Sequence, residues 1–257
     1  MTVLILGCGF TGRRVAARLL ARGFTVLATS RAPGDIALDV LDPTSLAALR
    51  PLVPPGALVL HSIPAVAEPE PLLEVLGDRP KRVVYLSTTG VYGDAREVDE
   101  TTLVAPRSPR ERLRVRTEQA VQAGPWLSLV LRAAAIYGPG RGVHAAMRAG
   151  TFRLVEGGQN YVSRIHVDDL AALAEAALLG DLTGAWPVAD DEPCSSLEVA
   201  RFCADLMSLP LPPSIPREQA TETRRADRRV DGRAIRRLLG VSLRYPSYRV
   251  GIPASLT

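Results

Sequence analysis

The chain has 257 residues, 47% of them hydrophobic and 23% charged, which is long enough to bury a sizeable core and typical of a folded globular protein. The net charge of +4 suits an anionic small molecule and falls short of what nucleic-acid binding demands, and no apolar run reaches the length of a membrane span. Cytoplasm is therefore the expected compartment, and three scattered cysteines (Cys8, Cys194, Cys203) predict neither a disulfide framework nor a metal site.

Residues 2–6 form an apolar strand that runs into Gly7-Cys-Gly9-Phe-Thr-Gly12 and then an amphipathic helix. In this strand–turn–helix setting the three glycines have separate tasks. Gly7 allows the tight turn, Gly9 lets the backbone approach a pyrophosphate, and Gly12 lets the helix close on the strand. The free N–H groups and positive dipole end of the helix favour the phosphates, so Gly7, Gly9, Phe10, Thr11 and Gly12 are the first cofactor-binding candidates.

Strands follow at 24–29, 35–38, 57–60, 82–86 and 126–131, with helices between them. This alternation predicts an α/β protein with a doubly wound parallel sheet of the Rossmann type, covered on both faces. A Pro43-initiated helix follows Asp42, and an Arg/Glu-rich helix spans about 108–123. Asp168 and Asp169 are placed to cap a helix reaching 179. Residues 186–189 are a short strand, 195–207 a helix and 209–213 a linker. Ligands of such sheets bind at the carboxyl ends of the strands, which brings in Ser62 and Ser87.

Where an NAD site usually offers an acid after the second strand, this chain has Thr29-Ser30-Arg31. Arg31 is suited to a 2′-phosphate, helped by the hydroxyls of Ser30 and Thr29, which predicts NADP as the cofactor.

Four segments taken together are similar to the extended short-chain dehydrogenase/reductase family, in its NAD-dependent epimerase/dehydratase branch. They are the glycine turn, Leu86-Ser-Thr-Thr-Gly-Val-Tyr-Gly93, Leu131-Arg-Ala-Ala-Ala-Ile-Tyr-Gly-Pro-Gly140 and Arg164-Ile-His-Val-Asp-Asp-Leu170. The resemblance covers nearly the whole chain. It implies a Rossmann sheet of about seven strands with a small C-terminal substrate-binding region. Residues 1–138 would be mainly the dinucleotide core, and 139–257 core completion plus the substrate region. It also implies Asp39-Val40 as an adenine-contacting pair and a homodimer as the assembly.

The resemblance breaks at its centre. The family uses a Tyr, and a Lys four residues later that lowers the Tyr pKa, to move a proton while hydride passes to or from nicotinamide. Here the frame Ser108-Pro-Arg110-Glu-Arg-Leu-Arg114-Val-Arg-Thr-Glu118 puts Arg110 at the Tyr position and Arg114 at the Lys position. Of 31 basic residues only Lys81 is a lysine, and it precedes the fifth strand, so no small shift restores the pair. An arginine is neither acid nor base at neutral pH. Thr88 matches the family's substrate-oxygen ligand, or it is a strand-end hydroxyl that satisfies the loop backbone. Ala135 stands where the family often has Asn. Tyr92, Tyr137, His61, His144 and His166 are read as structural, and no metal site is expected.

The stretch Arg224-Arg225, Arg228-Arg229, Arg233, Arg236-Arg237 is either a solvated helix with i,i+4 pairs or an anion clamp over the active-site mouth. Residues 243–249 are similar to the tail of an atypical branch of the family. The chain is thus read as an atypical NAD(P)-binding oxidoreductase or epimerase. Its substrate would be small and anionic, possibly nucleotide-sugar-like, with proton transfer through Thr88, water or the substrate. The alternative is a non-catalytic NADP(H)-binding redox sensor.

Overall fold

A computed structural model describes residues 1–30, 35–65 and 68–256. Seven strands form one sheet: β1 (Thr2–Leu6), β2 (Thr25–Ser30), β3 (Ile36–Ala37), β4 (Ala57–His61), β5 (Pro80–Thr88), β6 (Leu127–Ala133) and β7 (Gly184–Val188). All neighbours are parallel, in the spatial order β7-β6-β5-β4-β1-β2-β3. This is the Rossmann order extended by one strand, and it puts the crossover between β1 and β4, directly beside the glycine turn.

The apolar runs of the strands follow from burial on both faces. In β1, Val3 and Ile5 enter one core with helices α1 (Phe10–Ala21) and α6 (Val167–Leu179), whereas Leu4 and Leu6 enter the other. That second core is closed by α2 (Pro43–Leu49), α3 (Glu70–Leu76) and α4 (Pro109–Gln122). Arg18 and Arg22 of α1 both pair with the buried Glu175 of α6, which ties the two helices of the first face together. Arg82, fully buried in β5, donates to the carbonyls of Ala177 and Leu182 and so satisfies the end of α6.

Local signals act as the sequence predicts at α4. Ser108 Oγ accepts from the Glu111 N–H at 3.2 Å and the Glu111 carboxylate accepts from Ser108 N–H at 3.1 Å, a reciprocal cap worth about 1 kcal/mol. Ser195 caps α7 (Ser196–Met207) in the same reciprocal manner with Glu198, and Asp42 caps α2 by accepting from the Thr44 N–H. At α6 the expectation is corrected. The cap is His166, whose Nδ1 accepts from Asp168 N–H at 3.2 Å. Asp168 instead pairs with Arg14, and Asp169 accepts from the N–H groups of Arg244 and Tyr245.

A third core lies beyond β6 and takes in α5 (Val143–Arg148), α7 and α9 (Tyr248–Ala254), whereas α8 (Arg233–Leu239) packs Ile235 into the first core. The third core joins Tyr137, Met147, Val199, Cys203, Tyr248 and Ile252. Four pairs of short strands brace this part, among them Ala135–Tyr137 beside Arg164–His166. The cysteines are free and buried. Among the described residues no helix is long and apolar enough to cross a membrane, and no group of His, Cys, Asp and Glu is placed to hold a metal.

Candidate functional site

Gly7 leaves β1 at φ +84°, and its N–H reaches both the carbonyl and Oγ1 of Thr29 at 3.2 Å. The Cys8 N–H donates to the same carbonyl at 2.7 Å. A β-carbon on Gly7 would lie 2.9 Å from Ile63 Cγ1, and on Gly12 2.9 Å from the Gly7 oxygen, so both are packed shut. Gly9 differs: a β-carbon there would meet nothing within 4 Å. This opening lies at the start of α1, whose first turn holds no acid and has no side-chain cap. The free N–H groups therefore face space that only glycine leaves available, and the residues present fit a dinucleotide pyrophosphate.

The other cofactor candidates fall into two groups. Thr11 is buried, and Phe10 is half-buried between the guanidinium groups of Arg14 at 4.3 Å and Arg141 at 5.2 Å. Ser62 Oγ donates to the Gly7 carbonyl at 2.7 Å and braces the turn. The role expected of Thr29 beside a 2′-phosphate is corrected, because its side chain is fully buried and spent on the Gly7 N–H. Ser30 donates to Asp35 at 2.7 Å, and Arg13 lies 3.5 Å from the same carboxylate. Asp35 is an acid within hydrogen-bond distance of the last residue of β2 that sequence reasoning missed, since it lies five residues further along the chain. Arg31 lies outside the described residues. Asp39 is exposed and accepts from Leu41 N–H at 3.0 Å, with Val40 half-buried against the second core.

At the carboxyl end of β5, Thr88 Oγ1 accepts from Gly90 N–H at 3.3 Å, so its hydroxyl supports the loop. Ser87 is buried and donates to Glu118. Glu118 also takes Arg132, which reaches on to the Tyr92 hydroxyl at 3.2 Å. Arg114 is buried, donating to the Tyr85 hydroxyl at 3.1 Å and to the Leu86 carbonyl at 3.4 Å. Arg110, one turn earlier on α4, is exposed and makes no hydrogen bond or ion pair among the described residues. The two arginines that the resemblance puts at the Tyr and Lys positions thus part company: Arg114 is held in the core, and Arg110 is exposed without a partner among the described residues.

No hidden acid replaces the tyrosine. Tyr92 is buried under Arg132, and burial pushes its phenol up. The Tyr137 hydroxyl donates to the Ser247 carbonyl at 3.2 Å, and burial raises that phenol too. His61 is fully buried against Tyr85, and burial, then the nearby Arg114, push it down to about 3. His166 is pushed down to about 4, chiefly by burial.

Beyond β6 a cavity of about 150 Å³ opens between Ala135, Tyr137, Phe152, Val162 and Ile252. Arg153, Arg164 and Arg224 also line it. It borders Gly142, at the end of the same short loop whose Gly138 packs against Phe10 of the glycine turn. The arginine-rich stretch proves not to be one helix. It breaks into a 3₁₀ turn (Glu222–Arg224), a two-residue strand (Arg229–Val230) and α8, because Arg225, Arg228 and Arg236 each reach out to backbone carbonyls. Arg229 stacks on Tyr161 at 3.4 Å, and Arg233 and Arg236 pair with Asp231 and Asp191. Of that stretch, Arg224 alone lines the cavity.

The sequence profile of the NAD dependent epimerase/dehydratase family matches residues 65–183. A conserved protein of unknown function from Silicibacter pomeroyi shares 33% identity, over 99% of this chain and 98% of its own, with a TM-score of 0.77. The chain belongs to the NAD dependent epimerase/dehydratase family. Its family context includes a Streptomyces protein described as a 3-diazoavenalumate denitrifying reductase, 28% identical over 262 residues and 84% of each chain. The UDP-glucose 4-epimerase of Thermus thermophilus, solved in complex with NAD, has the same fold at 20% identity. Its TM-score is 0.81, over 100% of this chain and 99% of that one. Family members of this kind depend on a nicotinamide dinucleotide.

Proposed function

We propose that the protein is an NADP(H)-dependent oxidoreductase that acts on a small anionic substrate without a tyrosine proton relay. The observation that carries this reading is the open Gly9 cradle, taken together with an exposed Arg110 at the position where the family resemblance calls for the acid. Bound nicotinamide supplies or accepts a hydride. Gly7, Gly9 and the first turn of α1 hold the pyrophosphate, Arg31 holds the 2′-phosphate, and Asp39-Val40 border the adenine. Arg110 offers a fixed positive charge and no proton.

Such a site suits a substrate that takes up hydride at a strongly electrophilic centre, or that draws its proton from water beside Thr88. The Streptomyces relative, whose name makes it the reductase of a diazo compound, is consistent with hydride delivery to a centre of that kind. A nucleotide-sugar substrate, as in the Thermus epimerase, asks for reversible oxidation of a hydroxyl, and that step calls for the base Arg110 cannot be.

Calorimetric titration tests the cofactor assignment: Arg31→Ala should weaken NADPH binding at least about tenfold more than NADH binding. Retention of the NADPH preference in that variant overturns it. The free Arg110 also favours a redox sensor, which binds the dinucleotide and turns nothing over. Equal affinities for NADPH and NADP removes that second reading, and oxidation of NADPH by any small carboxylate replaces it with the first.

A further inference from the structure

Arg164 is 5% exposed, yet it makes no ion pair among the described residues. One end of its guanidinium is fixed, with Nη1 donating to the Val162 carbonyl at 2.7 Å and to Cys194 Sγ at 3.1 Å. Asp190, whose N–H donates to the Arg164 carbonyl at 2.7 Å, is the acid nearest in the fold. Burial pushes the Asp190 carboxyl up to about 8 against the pull of the Arg164 charge, and among the described residues no ion pair joins the two. A buried cation without a counter-ion is costly unless something else brings the negative charge.

Arg164 is one of the residues that line the cavity, together with Arg153 and Arg224. Arg153 spends Nη1 on the carbonyls of Gly150 and Phe152, and Arg224 reaches the Thr151 carbonyl at 3.5 Å; neither pairs with an acid among the described residues. The rest of the wall is apolar, with Phe152, Val155 and Ile252 prominent. Three unpaired guanidinium groups at an apolar hollow describe a ligand with one anionic end and a hydrophobic body. At about 150 Å³ the hollow matches apolar cavities that admit benzene, and it is below the roughly 300–1,000 Å³ of most ligand pockets.

We infer that the cavity is a carboxylate subsite, which takes a small aromatic or similarly compact apolar acid with its carboxylate on Arg164 and its body among Phe152, Val155 and Ile252. This deepens the oxidoreductase reading and rests on it. The bidentate fit of guanidinium to carboxylate supplies orientation as well as charge. The same geometry excludes a nucleotide sugar from this hollow, since a diphosphate, a base and a sugar exceed its volume several-fold.

The test is calorimetric titration of the full chain with benzoate, with its neutral isostere benzamide, and with UDP-glucose. Benzoate should bind saturably, and benzamide about tenfold more weakly or not at all. Arg164→Gln should abolish benzoate binding. Because that residue is buried, Arg224→Ala on the half-exposed wall gives a second reading, with an expected loss of about fivefold in benzoate affinity. Equal binding of benzoate and benzamide overturns the inference, as does UDP-glucose binding that Arg224→Ala weakens. A parallel NADPH titration separates the two proposals. If NADPH fails to bind while benzoate binds, the cofactor reading falls and the subsite stands; the reverse result removes the subsite alone.

Discussion

The Arg114 guanidinium donates to the Tyr85 hydroxyl at 3.1 Å, on the side of β5 that faces α4, with the imidazole of His61 packed against the same ring at 4.7 Å. An arginine at the place of the family's lysine has thereby become part of the core. Its neighbour one turn away, Arg110, has no such attachment. Replacing Arg110 by Ala should leave unfolding stability within about 0.5 kcal/mol, as for exposed sites without partners. Arg114→Ala should cost about 2 kcal/mol, because it empties a buried position and removes a hydrogen bond to the buried Tyr85 hydroxyl. Denaturant unfolding of both variants checks this; equal stabilities contradict the separation.

Glu118 gathers Ser87 and Arg132 in the interior, with Tyr92 attached through Arg132. Removing the carboxylate leaves a partly buried guanidinium without its counter-charge. Glu118→Ala should therefore destabilise the protein by about 3–5 kcal/mol. Arg132→Met, which removes the charge and keeps the bulk, should restore part of that loss in the double variant. A double variant no more stable than Glu118→Ala rules out an unpaired charge as the cause.

The glycines of the first turn should separate by function. Gly9→Ala puts a methyl group into open space and should unfold at nearly the wild-type denaturant concentration, while NADPH affinity falls by at least about tenfold. Gly12→Ala sets its β-carbon against the Gly7 carbonyl and should lose about 1–3 kcal/mol of stability before any ligand is added. Thermal unfolding with and without NADPH distinguishes them, and a destabilised Gly9→Ala protein would falsify the open-cradle account.

Acid should weaken the fold through two buried imidazoles. His61 and His166 are held neutral in the folded state, pushed down to about 3 and about 4, mainly by burial. In the unfolded chain both take up protons near pH 6.5. The unfolded state then binds more protons between those limits, so stability is full above about pH 6.5 and declines as the pH falls toward 4. Each histidine adds a slope of up to about 1.4 kcal/mol per pH unit. His61→Leu, which keeps apolar packing on Tyr85, should remove one proton from the slope of unfolding free energy against pH. An unchanged slope assigns the acid sensitivity elsewhere.

The parallel sheet was legible because strands buried on both faces must be apolar at every position, as in residues 2–6, and because caps such as Ser108 and Asp42 announce their helices. The break at Arg110 and Arg114 was equally plain, since it needs only spacing and residue type. What the sequence does not display is which arginine is buried. Arg82, Arg114 and Arg164 are indistinguishable in one dimension from Arg110 or Arg237, and each has a partner 29 or more residues along the chain. Arg82, for example, meets an oxygen 95 residues away. Asp35 escaped notice for a related reason. Its hydrogen bond with Ser30 spans five residues, and no local pattern encodes it. The helix cap at His166 was hidden because a side-chain imidazole does there what the two following aspartates are better known for.

Gly138 leaves no room for a β-carbon between Val167 and Phe10, the residue that starts the cofactor helix, and four residues further on Gly142 borders the arginine cavity. The cavity proposed for the acid and the turn proposed for the dinucleotide therefore meet through one short loop. A dinucleotide that holds Phe10 in place also holds the loop against which the second ligand must fit. By reciprocity, any gain in affinity that the first ligand confers on the second is returned in equal measure. The order in which they arrive can then alter the path to the ternary complex, but never its stability.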